Sequence, residues 1–255
     1  MKDFLKKAGT LINENKCGAM CAFLFLLIIL DPLLTGNVSS RISYRWVFMV
    51  YILVLIFVPY FITSRIKTLY VALAIGVPVL ILRWLTTFDA PEQSVDLLNR
   101  LAFLSMIGLE VYLLLCVLWY TSTVDFSSRE PIFGSIVVYL MIGIMFGDIY
   151  FVISRFQAET FWIMDKAGQP TLPDTLYFSF VTLTTLGYGD IYPMTPLVRR
   201  VTSVESIIGV LYVALFVGRI VAVFSSIQLQ QVGLEENAVK KKKLRIRSGN
   251  PQRRQ

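Results

Sequence analysis

Six stretches of this 255-residue chain are apolar over about the 20 residues that a helix needs to cross a bilayer, and they constrain the fold more than any other feature. They run over about 17–34, 46–62, 69–85, 97–120, 132–153 and 197–227. Within hydrocarbon a segment must satisfy its own backbone hydrogen bonds, so runs of this length read as helices. Of all residues 56% are apolar and only 16% are charged, which sets the chain apart from a soluble domain. The reading is an all-α integral membrane protein with six transmembrane helices. A seventh run, at about 173–184, is too short to span, which suggests a re-entrant helix between the fifth and sixth.

The first stretch has a second reading. Lys6, Lys7 and Lys16 precede an apolar core, as in a secretory signal. No A-x-A-like cleavage site follows, and Asp31-Pro32 is an unusual end for one. Taken as a retained helix, it lets lysine and arginine set the orientation. With the N-terminus inside, Lys2, Lys6, Lys7, Lys16, Arg65, Lys67, Arg129 and the basic residues of the tail face the cytoplasm. The outer segments hold Arg41, Arg45, Arg83, Arg100, Arg155, Lys166, Arg199 and Arg200, and are outnumbered. Both termini are then cytoplasmic, and the chain is a multi-pass protein of the cell (plasma or inner) membrane. Cys17, Cys21 and Cys116 lie in or beside apolar runs and read as small packing residues. Histidine is absent, which removes the commonest metal ligand and general base. No other catalytic constellation appears, so no enzyme and no cofactor are expected.

Ahead of the sixth stretch lies Thr184-Thr185-Leu186-Gly187-Tyr188-Gly189-Asp190. Two glycines flanking one aromatic, preceded by hydroxyl residues, suit neither a membrane helix nor a strand. Gly187 and Gly189 reach backbone angles closed to other residues. A run that alternates ordinary and glycine residues can therefore point successive carbonyls the same way, and a row of carbonyls replaces the water around a dehydrated cation. Non-helical backbone at membrane depth must be buried in protein or line a watery cavity. The run reads as an ion pathway at the outer face. Upstream, Pro173 suits a first helical turn, and Asp174 suits the positive end of the dipole. The negative end, at Thr184, faces a cation near the middle of the membrane. Tyr177, Phe178 and Phe180 supply rigid bulk.

The stretch from Tyr177 to Asp190, YFSFVTLTTLGYGD, resembles the pore domain of potassium channels, and the likeness extends over about 132–227. It is also similar to a bacterial group of two-helix ion-channel domains with an added N-terminal membrane region. The resemblance implies a selectivity filter in which the carbonyls of Thr185, Leu186, Gly187 and Tyr188 and the Thr185 hydroxyl coordinate permeant K+. Gly189 and Asp190 would form the outer mouth, with Tyr177, Phe178, Thr184 and Glu205 as filter support. Leu186 stands where valine is commoner. Its carbonyl does the coordinating, so altered packing with retained selectivity is expected. One filter strand cannot surround an ion and the chain carries one such run, so a homotetramer is implied. The implied function is a potassium-selective channel. The alternative is a nonconducting or weakly selective regulatory or scaffold membrane protein.

Gly209 falls where inner helices of the family carry a hinge glycine; a gating hinge and close helix packing stand as equal readings. Gly143 and Gly147 form a G-x-x-x-G packing pattern. Glu205 is ionisable inside the membrane and therefore invites a functional hypothesis. It is expected to brace the filter through Thr182 or Thr184, or to approach Asp148 so that outside pH acts on the filter. Arg219 is expected near the inner face, pairing with Asp125 or Glu130 and coupling the gate to the N-terminal region, or snorkelling. The fourth stretch carries Arg100 at its outer end and Glu110 near its middle. That is too little for an arginine-ladder voltage sensor, since each charge contributes about 2.3 kcal/mol per 100 mV.

The expected division is 1–120, an N-terminal four-helix membrane region; 121–131, a cytoplasmic linker; 132–227, the pore domain with its pore helix at 173–184 and filter at 185–189; and 228–255, a basic cytoplasmic tail. The tail is expected to be solvated and disordered, or drawn to anionic lipid by Lys240 to Lys243, Arg245 and Arg247. Neither nucleic acid nor an organic substrate is expected as a partner.

Overall fold

The computed structural model describes residues 16–36, 55–56, 58, 66–88, 92–123, 130–157, 159–163 and 166–248. In chain order the elements are α1 (Lys16–Gly36), α2 (Ile66–Phe88), α3 (Glu92–Thr123), α4 (Glu130–Phe156), β1 (Phe161–Ile163), β2 (Lys166–Gly168), α5 (Leu172–Leu183), β3 (Ile191–Pro193) and α6 (Pro196–Ser248). The expected second helix falls largely outside the described residues; within it Leu55, Ile56 and Val58 are helical. Among the described residues three helical segments are long and apolar enough to cross a membrane: Leu101–Thr123, Pro131–Phe156 and Pro196–Val221. The apolar parts of α1 and α2, Lys16–Leu26 and Ile66–Leu82, are shorter.

Helix starts follow local chemistry. Pro131 and Pro196 sit in the first turns of α4 and α6, where a missing N–H leaves nothing unpaired and the ring presets φ. Thr195 precedes α6, and its hydroxyl oxygen accepts from the Val198 N–H at 3.4 Å, the bond expected of an N-cap.

Helix α4 is the centre of the packing. It lies against α1, α3 and α5, while α2 lies against α3. Val137, Val138, Leu140, Met141, Ile144, Phe146 and Tyr150 are all buried, and a helix apolar on every side belongs inside a bundle. Toward α5 the helix presents Gly143 and Gly147. A Cβ at Gly143 would lie 2.5 Å from the Phe180 ring, and one at Gly147 2.6 Å from the Leu176 side chain. The G-x-x-x-G pattern thus seats α5 of the same chain.

Two expectations are corrected. The chain is not purely helical: β1, β2 and β3 form a three-stranded antiparallel sheet in the order β2-β1-β3, with Phe161 opposite Gly168 on one side and Pro193 on the other. Three-residue strands are too short to leave a readable alternation. The basic segment is not disordered either, because α6 continues through Ser248. After residue 227 the sequence is rich in Gln, Leu, Lys and Arg and has no proline before Pro251, so a helix already begun continues. The chain divides into two compact units, Met1–Tyr212 and Val213–Gln255. Every site residue below except Arg219 lies in the first.

Candidate functional site

The site starts from the two ends of α5. At its N-terminus Thr171 caps the helix: its side-chain oxygen accepts from the Asp174 N–H, and Asp174 Oδ2 accepts from the Thr171 N–H at 2.8 Å. The Thr171 hydroxyl also donates to Asp174 Oδ2 at 2.6 Å. This reciprocal capping box satisfies otherwise orphaned donors and fixes where α5 begins. The far end is held as firmly. The Thr184 N–H donates to the Phe180 carbonyl at 3.0 Å, Thr185 to Thr182 at 2.9 Å, and Leu186 and Gly187 both to Val181, at 2.9 and 3.3 Å. The chain therefore leaves the helix in a fixed direction.

From there φ alternates. Thr185 has φ 60°, Gly187 57° and Gly189 80°, while Leu186 and Tyr188 between them keep negative values. Around Gly187 and Gly189 an added Cβ would meet nothing within 4 Å, so it is the backbone angle, and not lack of space, that calls for glycine. Thr185 adopts the same left-handed region despite its branched Cβ, a conformation that costs about 1–3 kcal/mol and needs surrounding bonds to hold it. All seven residues from Thr184 to Asp190 are exposed, Tyr188 by 68% and Leu186 by 54%.

Asp190, past the run, accepts a hydrogen bond from the Tyr177 hydroxyl at 2.8 Å. That bond, above all, raises the Tyr177 phenol above its ordinary value. Phe178 faces the opposite way and is buried. Its ring meets Tyr150 and Phe161 edge-on, with centroids 5.1 and 5.2 Å apart, and Tyr150 meets Phe161 at 5.9 Å. This triangle of one ring each from α4, α5 and β1 ties the helix under the run to the sheet.

Glu205, on α6, is fully buried. The expected partners Thr182 and Thr184 are corrected. The carboxyl is hydrogen-bonded through Oε2 to the Tyr150 hydroxyl and through Oε1 to Ser179 Oγ. Ser179 Oγ is also 2.6 Å from the Gly143 carbonyl oxygen. Thr184 instead donates its hydroxyl to the Phe180 carbonyl at 2.6 Å, bonding back along its own helix. Gly209, one turn beyond Glu205, abuts the end of α5: a Cβ there would lie 2.5 Å from the Leu183 carbonyl oxygen. The close-packing reading of this glycine thus has a definite neighbour. The same carbonyl accepts from the Tyr139 hydroxyl at 3.2 Å. Tyr139 stacks on Tyr212 of α6, whose hydroxyl donates to the Ser135 carbonyl at 2.6 Å. Arg219 lies on α6 within the second unit, and the side chains of its expected partners, Asp125 and Glu130, lie outside the described residues.

Sequence reading had given Ser179, Tyr150, Tyr139 and Tyr212 no role. For Tyr150 a signal existed: it follows Gly143 by seven residues and Gly147 by three, so it shares their helix face.

A short capped helix and a run of alternating backbone handedness at its end thus lie between two long apolar helices, α4 and α6. Residues 132–226 match a family model described as Ion channel. The chain is 35% identical over 116 residues to potassium voltage-gated channel subfamily A member 6 of Homo sapiens, which covers 45% of this chain and 20% of that protein. It is 33% identical over 131 residues to subfamily A member 5 of Homo sapiens, covering 51% of this chain and 20% of that protein. The chain thus spans about a fifth of the length of the curated relatives it matches. The segment 132–226 is thus similar to ion-channel domains, and the matched relatives are potassium channels.

Proposed function

We propose that the protein is a potassium-selective channel that passes K+ passively through a filter built by four copies of the chain. The observation that carries this reading is the alternating handedness of Thr185, Gly187 and Gly189 at the end of α5. Alternation turns successive peptide planes so that the carbonyls of Thr185, Leu186, Gly187 and Tyr188 line one side, with the Thr185 hydroxyl below them. Four such strands offer a ring of oxygens at each level. A dehydrated K+ exchanges its water for these rings and moves on when the next ion enters. Gly189 and Asp190 form the outer mouth, steadied by Tyr177.

In this reading the chain crosses the membrane six times, α5 is re-entrant, and both termini are in the cytoplasm of a cell bearing the protein in its plasma or inner membrane. Gly209 is a gating hinge as well as a packing contact. The one arginine of the fourth apolar stretch, Arg100 in α3, argues against gating by an arginine ladder. The basic end of α6 is drawn to anionic lipid. K+ is the permeant ion and no cofactor takes part.

The test is ion flux through the purified protein in liposomes, with K+ and Na+ compared and barium as blocker. Barium-sensitive K+ flux well above Na+ flux is expected. Equal flux of the two cations sinks the selectivity claim, and no flux at any voltage or pH favours a nonconducting scaffold.

A further inference from the structure

The contacts of Glu205 contain a proton count. Three oxygen–oxygen contacts join four groups: Tyr150 Oη with Glu205 Oε2, Glu205 Oε1 with Ser179 Oγ, and Ser179 Oγ with the Gly143 carbonyl. Two oxygens approach this closely only with a hydrogen between them. The Tyr150 and Ser179 hydroxyls bring one proton each, and the carbonyl and an ionised carboxylate bring none. Two protons cannot fill three contacts. The third must sit on Glu205. If it pointed at Tyr150, Ser179 would still have one proton for two acceptors. Only one arrangement fills all three: Tyr150 donates to Oε2, the carboxyl proton on Oε1 is donated to Ser179, and Ser179 donates to the Gly143 carbonyl.

From this we infer that Glu205 is a positioning residue for conduction, and that it works as a neutral carboxylic acid, the middle link of a one-way hydrogen-bond chain running from Tyr150 through Glu205 and Ser179 to the Gly143 carbonyl. The chain ties α6 to α5 and closes back on α4, whose Gly143 seats Phe180. It holds α5 at Ser179, two residues before Val181, whose carbonyl receives the N–H groups of Leu186 and Gly187. Ionisation of Glu205 removes one proton, and one of the three bonds then becomes a repulsion between oxygens next to the support of the filter.

Among the described residues, the ionisable groups facing Glu205 are few. Tyr150 and Tyr139 face it from α4, and Ser179 is the polar group facing it from α5. Asp148, the other buried acid of α4, lies about 160° round that helix from Tyr150. Tyr177 is turned to Asp190 at the mouth.

This inference rests on the channel reading for its functional half only, and the experiment separates the two. Wild-type protein, Glu205→Gln, Glu205→Ala and Ser179→Ala are reconstituted as full-length chains, with assembly checked by size. Glutamine donates from its NH2 and accepts at its carbonyl oxygen where the neutral acid does, with one further N–H, so E205Q keeps K+ flux and the K+/Na+ ratio near wild type. E205A strands Ser179 and Tyr150 and lowers flux roughly tenfold or more. In the wild type, raising pH lowers flux reversibly, whereas E205Q stays flat. Infrared spectra at neutral pH carry a carboxylic-acid C=O band that is missing in E205Q and shifted in S179A. The inference is overturned if that band is equally present in E205Q, or if E205Q is as impaired as E205A. Should the wild type pass no ions, the channel reading falls while the infrared band still decides the protonation of Glu205.

Discussion

Thr185, Gly187 and Gly189 solve one problem with different means. Each must place its backbone in the left-handed region; glycine does so freely, and threonine does so because its N–H is tied to the Thr182 carbonyl at 2.9 Å. Space around Gly187 is open, so Gly187→Ala introduces no collision. It does ask an alanine for an angle that costs about 1–2 kcal/mol in each chain, and in the proposed channel four chains meet at one ring. The alanine strand relieves this by rotating a peptide plane, which turns a carbonyl away from the ion. Gly187→Ala should therefore assemble normally by size and lose most of its preference for K+ over Na+ in liposome flux. Unchanged selectivity would mean that the angle at Gly187 is not what arranges the carbonyls.

Among the elements, α5 carries the run and everything around it fixes α5: the capping box at one end, Val181 and Leu183 at the other, and the rings of Tyr150, Phe161 and Phe178 along its side. Phe161 comes from the sheet and is fully buried. Phe161→Ala removes two edge-on ring contacts and leaves a cavity, at a cost of about 3–5 kcal/mol. Thermal unfolding in detergent should show a clear drop in melting temperature, well beyond that of Tyr192→Ala on the exposed side of β3. Equal shifts would mean that the sheet does not brace α5. The sequence made the long helices and α5 readable, because apolar length and a proline-acid start are local signals. It hid the sheet, since three residues per strand carry no periodicity. It also hid the extent of α6, because apolarity ends near residue 227 while helix propensity does not. Glu205 could be placed near α5 by counting residues along α6. Its partners could not be named that way. A choice between Ser179 and Thr182 depends on which face of α5 turns toward α6, and that is decided by the close seat of Phe180 and Leu176 on Gly143 and Gly147.

For the whole molecule, what matters is what one chain leaves uncovered. Its filter run is exposed from Thr184 to Asp190, and along α6 the apolar side chains of Leu197, Val204, Ile207, Val210 and Leu211 are exposed as well. A helix face can rest against lipid, but unpaired filter backbone cannot, since each unsatisfied group in hydrocarbon costs several kcal/mol. The proposed arrangement of copies about a common axis solves both problems: the runs would face one another across an aqueous path, and the α6 faces would find neighbours or line that path. In the proposed channel, symmetry makes every ring of carbonyls a property of four chains. Co-reconstituting equal amounts of wild-type and Gly187→Ala chains tests this directly. If one altered strand spoils a ring, random mixing leaves about one assembly in sixteen fully wild type. K+-selective flux should then fall far below half of the wild-type value, toward that fraction. A fall to only half would mean that each chain conducts alone, and the fourfold ring would have to be abandoned.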